Sequence, residues 1–340
     1  ALVTGERFDD AQKEVDVLLQ AKRGMVQGLC VGAEALLKKA LKDAKERREF
    51  PTDKDLEPAK DYASRAVASD PYSAYAHFVH GAILEAQGEY AVESLDAAVD
   101  EYQKALDLIA IPGPEKVRVL VAKSFVHLRL ADWEPAIALA KSAIQMDERN
   151  IAAHSQAAHA MVAQGKAEEA IKEFYKPALK FAPEDARLHH GMGTALWDLK
   201  KDNDATKSLR QAVKLEGDNG IYRLSLGENH YQLRKYKDAV SELFVATELL
   251  PKDARAWAAY GRACSAEKHY PEAIEAYETV TQLLKPDDPR LPDIYLYLCI
   301  LYDRTKDRTK AREAAEKFKE LGGQDQNLES WINKLLQGED

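Results

Sequence analysis

The chain has 340 residues, with 48 Lys or Arg against 57 Asp or Glu, so its formal net charge is −9 at pH 7. Acidic and basic residues are interspersed, so there is no basic stripe that could follow a phosphate backbone, and we expect no nucleic-acid binding. The longest aliphatic and aromatic run, 295–302, is too short to cross a bilayer, so we expect no membrane insertion.

Seven alanines recur along the chain at intervals of 34 to 39 residues: Ala59, Ala98, Ala136, Ala170, Ala205, Ala239 and Ala273. A period of this length indicates a stack of one supersecondary unit, in which each copy is too small to bury its apolar face without its neighbours. Alanine, leucine, lysine and glutamate dominate the composition, which favours helices.

Residues 1–55 predict leading helices that form a degenerate or truncated repeat. Apolar residues within 8–20 repeat the stripe of a second helix with no first helix before it, and a first helix is expected within 22–46, around Gly32. The chain begins at Ala1 rather than Met, so we expect either that a leading segment was cleaved off or that this is a piece of a longer protein.

Residues 56–321 predict a tandem array of helix pairs. In the best-defined copy Ala239, Leu243 and Ala246 lie at i, i+4 and i+7, which is one stripe of one helix. Gly227 stands twelve residues before Ala239, and small residues at such fixed positions let two helix backbones approach closely. Within residues 114–285 the period slips by one residue near Pro177, where proline stands in place of alanine.

Residues 324–340 predict a capping helix, because an open stack of repeats needs a terminal element to cover its last apolar surface. Its apolar residues fall on one face: Leu328, Trp331, Ile332, Leu335 and Leu336. The alternative is that this helix docks onto another chain.

The small residues, the aromatics before each alanine and the prolines after each pair resemble the tetratricopeptide repeat family, most specifically over residues 114–285. The resemblance implies an all-α, right-handed superhelical solenoid of about seven to eight antiparallel helix pairs. It also implies that the first helix of each pair lines a concave groove that holds a peptide or helix of a partner protein.

Groove positions of this family can be counted from the small residue of each first helix. Carried onto this sequence, they predict partner-binding residues at Tyr75, Phe78, Arg118, Phe125, Leu128, His159, Arg187, His190, Trp197, Glu228, Tyr231, Arg255 and Arg262. Aromatic residues beside Arg are typical of binding hot spots. We expect Trp197 and Tyr231 to be partly exposed. No Lys or Asn occupies these positions, so the carboxylate clamp of some family members is not predicted.

Histidines and cysteines in the sequence have no catalytic or metal-binding pattern around them. His77, His154 and His189 each precede the small residue by four, where Trp257 stands in another copy, so we interpret them as replacements for a packing aromatic. We predict no catalytic residue, metal or cofactor. The three cysteines have no close pairing and are expected to be buried thiols in a reducing compartment, the cytoplasm.

The sequence therefore predicts a non-enzymatic scaffold or adaptor that binds a segment of another protein and serves complex assembly. The alternative is a recruitment or regulatory region of a larger multidomain protein whose effector domain is outside this chain. Neither the identity of the partner nor the oligomeric state follows from the sequence.

Overall fold

The computed structural model describes residues 25–47, 50–88, 91–325 and 328–337, and the regular structure within these ranges is helical. Two compact units divide the chain: an N-terminal unit that ends at Pro183 and a C-terminal unit that begins at Glu184. In each unit, consecutive helices pack in pairs, as the repeat period predicts. The stripe within residues 8–20 lies outside the described residues.

Four helix pairs form the N-terminal unit over the part of it that the structure describes. They are α1 (Met25–Arg47) with α2 (Asp53–Ser69), α3 (Ala74–Gln87) with α4 (Glu93–Leu108), α5 (Pro114–Arg129) with α6 (Trp133–Met146), and α7 (Ile151–Ala163) with α8. Helix α8 comprises Ala167–Ala170, a π-helical turn Ile171–Tyr175 and Lys176–Phe181.

Four further pairs and a terminal helix make up the described part of the C-terminal unit. They are α9 (Ala186–Asp198) with α10 (Asp202–Leu215), α11 (Gly220–Gln232) with α12 (Tyr236–Leu249), α13 (Ala254–Glu267) with α14 (Tyr270–Leu283), α15 (Leu291–Arg304) with α16 (Arg308–Glu320), and α17 (Glu329–Gln337). Turns of two or three residues join the members of each pair, so the two helices run antiparallel.

The periodic alanines lie in the seams between helices, and all seven are fully buried. Ala239, Leu243 and Ala246 are likewise buried on α12, which confirms the predicted stripe. A Cβ atom added to Gly227 would lie 2.5 Å from Cγ of Leu243, and one added to Gly193 would lie 2.7 Å from Cγ of Leu209. Both glycines are therefore required by the close approach of a first helix to its second helix.

The π-helical turn in α8 accommodates the one-residue slip of the repeat. The N–H of Lys176 donates to the carbonyl of Ile171, five residues earlier, so the turn holds one residue more than an α-helical turn. The extra residue allows both Phe174 and Tyr175 to be buried, at 4% and 3% exposure. Pro177 follows directly, where the helical ladder can accommodate a residue without an N–H.

The terminal helix α17 packs against α16. Ile332 and Leu335 are buried there, and Trp331 and Leu336 are partly buried in the same cluster as Phe318. The predicted apolar face of this segment therefore faces the last helix pair. None of the helices in the described ranges is long and apolar enough to cross a membrane.

Candidate partner-binding face

First helices contact one another from pair to pair within each unit. In the N-terminal unit α1 contacts α3, α3 contacts α5 and α5 contacts α7; in the C-terminal unit α9 contacts α11 and α11 contacts α13. We call the outward side of α1, α3, α5 and α7, and separately that of α9, α11, α13 and α15, the first-helix face of its unit. The thirteen predicted residues all belong to these helices.

Phe78, one of the predicted partner-binding residues, is buried at 8% exposure. Its ring packs at 5.7 Å from that of Tyr102, and the guanidinium of Arg118 lies over its other side at 4.1 Å from the ring centroid. Arg118 also donates to Glu34 at 2.7 Å. Phe78 thus packs beneath the guanidinium of Arg118, and the guanidinium is the solvent-exposed group of the pair.

Two clefts lie along the first-helix face of the N-terminal unit, and Arg118 lines both. One of about 550 Å³ is lined by residues of α1, α3 and α5, including Val31, Tyr75 and Val119. The other, of about 840 Å³, lies between α5 and the start of α7 and includes Val121 and Ala152. Tyr75 is half-buried; burial first and then the neighbouring Glu34 raise the pKa of its phenol, so the hydroxyl stays protonated.

The remaining predicted residues of the N-terminal unit are accessible. Phe125 is 40% exposed on α5, and Leu128 is half-buried one turn later. His159 is exposed on α7. These positions are available to a partner, whereas Phe78 is largely covered.

In the C-terminal unit, Arg187 and His190 lie on α9. Arg187 is exposed and donates to both oxygens of Asp185, at 2.8 and 3.4 Å. His190 is half-buried, stacks on Tyr222 at 4.7 Å and forms a hydrogen bond of 2.9 Å with Ser225. The His190 ring therefore contacts the neighbouring first helix, α11, and is only partly accessible to solvent.

Trp197 and Tyr231 are both half-buried, as predicted. Tyr231 lies 5.9 Å from the guanidinium of Arg262, which is exposed and donates to Glu228 at 3.3 Å. Burial raises the pKa of Glu228, although Arg262 opposes that shift. Three predicted residues from α11 and α13 therefore form one polar and aromatic cluster.

Two residues of this region were missed by counting from the small residue. Arg290 lies just before α15, and Tyr297 on α15 is 43% exposed and stacks on Tyr277 with 5.3 Å between ring centroids. Arg290 shares with Arg255 a separate signal, the sequence Asp-x-Arg at the start of a first helix. In both, the aspartate accepts from the backbone and from the guanidinium of the arginine two residues later.

Two of the three histidines interpreted as replacements for a packing aromatic, His77 and His154, make the same hydrogen bond as Trp257. At the position four residues before the small residue, the side chain reaches the backbone carbonyl six residues earlier: His77 to Pro71 at 2.9 Å, His154 to Glu148 at 2.9 Å, Arg223 to Gly217 at 2.8 Å and Trp257 to Pro251 at 3.0 Å. The N–H group thus ties each first helix to the loop before it. In the described ranges no three His, Cys, Asp or Glu residues are grouped to hold a metal ion.

A buried ionic cluster joins α3 to α4 in the N-terminal unit. Glu101 is 8% exposed and lies 2.6 Å from His77, 3.4 Å from His80 and 2.7 Å from Lys104. Burial alone would raise the pKa of Glu101, but the hydrogen bonds from His80, Lys104 and His77 outweigh it and hold the pKa far below the ordinary value. The carboxylate is therefore ionised in the folded protein.

The cysteines are free and buried. Burial raises the pKa of Cys30 and Cys299 to about 12 and that of Cys264 to about 11. The three groups are consequently neutral thiols at physiological pH, with little nucleophilic character.

Stacked antiparallel helix pairs define a helical-repeat protein. A family model described as the tetratricopeptide repeat matches residues 186–219 and 254–283, which span the α9–α10 and α13–α14 pairs. These two segments are therefore tetratricopeptide repeats, and the other described helices pair in the same all-α arrangement.

Solved structures share this fold. PilF of Pseudomonas aeruginosa has a TM-score of 0.53 and 20% sequence identity, over 61% of this chain and 92% of that one. In the APC/C heterotetramer Cut9–Hcn1, the matching chain has a TM-score of 0.57 and 18% identity, over 91% of this chain and 55% of that one. At these identities the likeness concerns the fold alone.

Among curated proteins, the Drosophila melanogaster protein O-mannosyl-transferase Tmtc3 is 27% identical over 107 residues. The match covers 31% of this chain and 11% of that protein, so the chain spans about a tenth of its relative.

Proposed function

We propose that this protein is a non-enzymatic scaffold that binds an extended or helical segment of a partner protein along the first-helix face. The observation that carries the proposal is the cluster of Tyr231, Arg262 and Glu228 in the C-terminal unit, which combines a half-buried aromatic ring with an exposed guanidinium. Side chains of this kind dominate the energy of protein interfaces.

The packing of the helices also favours this function. The small residues in the seams hold each first helix against its second helix, so the face is formed before a partner arrives. A preformed surface loses little conformational entropy on binding. A cytoplasmic location is part of the same proposal, since the buried neutral thiols suit a reducing compartment.

A peptide-display selection on the immobilised chain tests the proposal. Selected peptides should bind in solution, and Tyr231→Ala and Trp197→Ala should each weaken binding by more than about 1 kcal/mol, because each removes a partly exposed aromatic anchor. Isothermal titration calorimetry measures the affinity of a selected peptide for the wild type and for each variant.

Phe244→Ala is the matched control, since Phe244 is 47% exposed but lies on the second helix α12. It should leave the affinity unchanged. Failure to select any binding peptide, or a loss of binding in the Phe244 variant alone, would contradict the proposal.

A second candidate is a recruitment region of a larger protein, and the match to a tenth of a much longer curated relative favours it. The size of the native protein on an immunoblot of its source cells separates the two. A band near 38.0 kDa, the mass of this chain, would count against the second candidate.

A further inference from the structure

A cleft of about 290 Å³ opens on the first-helix face of the C-terminal unit, between α11, α13 and α15, with α14 behind it. Its inner surface is apolar and includes Val280, Leu284 and Ile294, and Tyr297 forms one wall. This volume is at the lower end for ligand pockets, so it suits side chains of a bound segment rather than a whole cofactor.

Three guanidinium groups line this cleft: those of Arg255, Arg262 and Arg290. Two of them are held in place by hydrogen bonds to aspartates. Arg255 donates to Asp253 through Nε and Nη2, and Arg290 donates to Asp288 in the same way. Both aspartates stand outside the cleft lining, and each also accepts a backbone N–H at the start of its helix.

The aspartates therefore fix the direction of these two arginines without occupying the cleft. Arg255 and Arg290 keep side-chain exposures of 67% and 55%. A guanidinium has five N–H groups, and each fork uses two, so further donors remain for a ligand.

Of the three arginines, Arg262 has the weakest hydrogen bonding. Its hydrogen bond to Glu228 is long, at 3.3 Å, and its side chain is 46% exposed. Among the described residues the acids that line the cleft are Glu228 and Asp293, and Asp253 and Asp288 pair with Arg255 and Arg290 from outside it. The unused N–H donors of the three guanidinium groups, rather than an excess of positive charge, suit the cleft to a carboxylate.

We propose that this cleft receives an Asp or Glu side chain of the partner segment, together with a neighbouring large apolar side chain that packs on Leu284 and Tyr297. This inference rests on the proposed function and specifies the chemistry of the partner. The carboxylate would pair with Arg262 and Arg290, whose guanidinium groups can bind it in a bidentate manner.

The peptides from the display selection are the probe. They should carry an acid next to a large apolar residue, and replacing that acid by its amide should weaken binding to the wild-type protein at least tenfold. Arg262→Gln and Arg290→Gln should each lower the affinity for the acidic peptide at least tenfold. Neither variant should lower the affinity for the amide form further, because that peptide has already lost the contact. Circular dichroism melts establish that each variant is folded.

Arg308→Gln is the matched control: its side chain is also 55% exposed and paired with an acid, Asp303, but it lies outside the cleft on α16. It should bind both peptides as the wild type does. The inference would be overturned if the acid and amide forms of the peptides bound equally well, or if neither cleft variant changed the affinity. Either result would leave the proposed function standing. A selection that yields no binder would overturn both.

Discussion

Glu101 shows how one side chain can couple the N-terminal unit to pH. It is buried between α3 and α4, where charged groups are costly unless they are paired, and it is paired with His77, His80 and Lys104. His77 also reaches the carbonyl of Pro71 through its other ring nitrogen. The ring of His77 is thus fixed between the loop before α3 and the carboxylate of Glu101.

The pKa of Glu101 is lowered on folding, so its contribution to stability is present above the unfolded-state value of 4.5 and is lost as the pH falls through the lower folded-state pKa. Glu101→Gln should therefore cost about 3 kcal/mol at pH 5.5, because the ionised carboxylate that accepts hydrogen bonds from His77, His80 and Lys104 is lost. The difference from the wild type should narrow toward pH 3, as measured by urea unfolding at both pH values.

Glu93→Gln provides the control, since Glu93 is exposed at the start of α4 and its replacement should matter little at either pH. If the difference in unfolding free energy between the wild type and Glu101→Gln stayed the same from pH 5.5 to pH 3, the ionised carboxylate would not be the stabilising group.

Sequence reasoning was most reliable where a residue's role depends on packing alone. The seven periodic alanines are all fully buried, as a seam requires. The position of Phe78 could not be derived in this way, because it depends on Arg118 from the next first helix. Likewise, the sequence indicated that His77 and His154 replace an aromatic, but the loop carbonyls that their rings reach were visible only in three dimensions.

At the scale of single elements, α8 departs most from the repeat. Its one-residue slip was readable at Pro177, but the slip alone could not say whether the extra residue lies in a loop or within the helix. The π-helical turn places it within the helix, between Ala170 and Ala178, and both of those alanines remain fully buried.

Deleting Glu173 would restore the seven-residue spacing of the other second helices. We expect the deletion to destabilise the protein by about 2–3 kcal/mol rather than to improve it, because only one of Phe174 and Tyr175 could then occupy the buried position. Pro177 would also fall within a regular α-helical ladder. Chemical unfolding measures the change.

Glu173→Ala separates the deletion from the loss of the side chain, which is exposed and makes only a 4.0 Å ion pair with Lys141. That substitution should change stability by no more than about 0.5 kcal/mol. A deletion variant as stable as Glu173→Ala would mean that the π-helical turn is dispensable.

At the scale of the whole molecule, the repeat period predicted the helix pairs and their seams because these depend on local spacing. The candidate face was predicted less completely. Counting from the small residue found Arg255 and Arg262. It missed Arg290 and Tyr297, because they lie nine and two residues before Cys299, the small residue of α15, and neither spacing is among the groove positions. The Asp-x-Arg pattern at helix starts would have found Arg290.

The central claim is that partners bind to first helices rather than to second helices. Amide hydrogen exchange of the chain with and without a selected peptide tests it most directly, for a peptide whose affinity depends on Tyr231. We expect added protection in α11 and α13 and none in α12, which is the second helix between them. Protection confined to α12 and α14, with α11 and α13 unchanged, would contradict it.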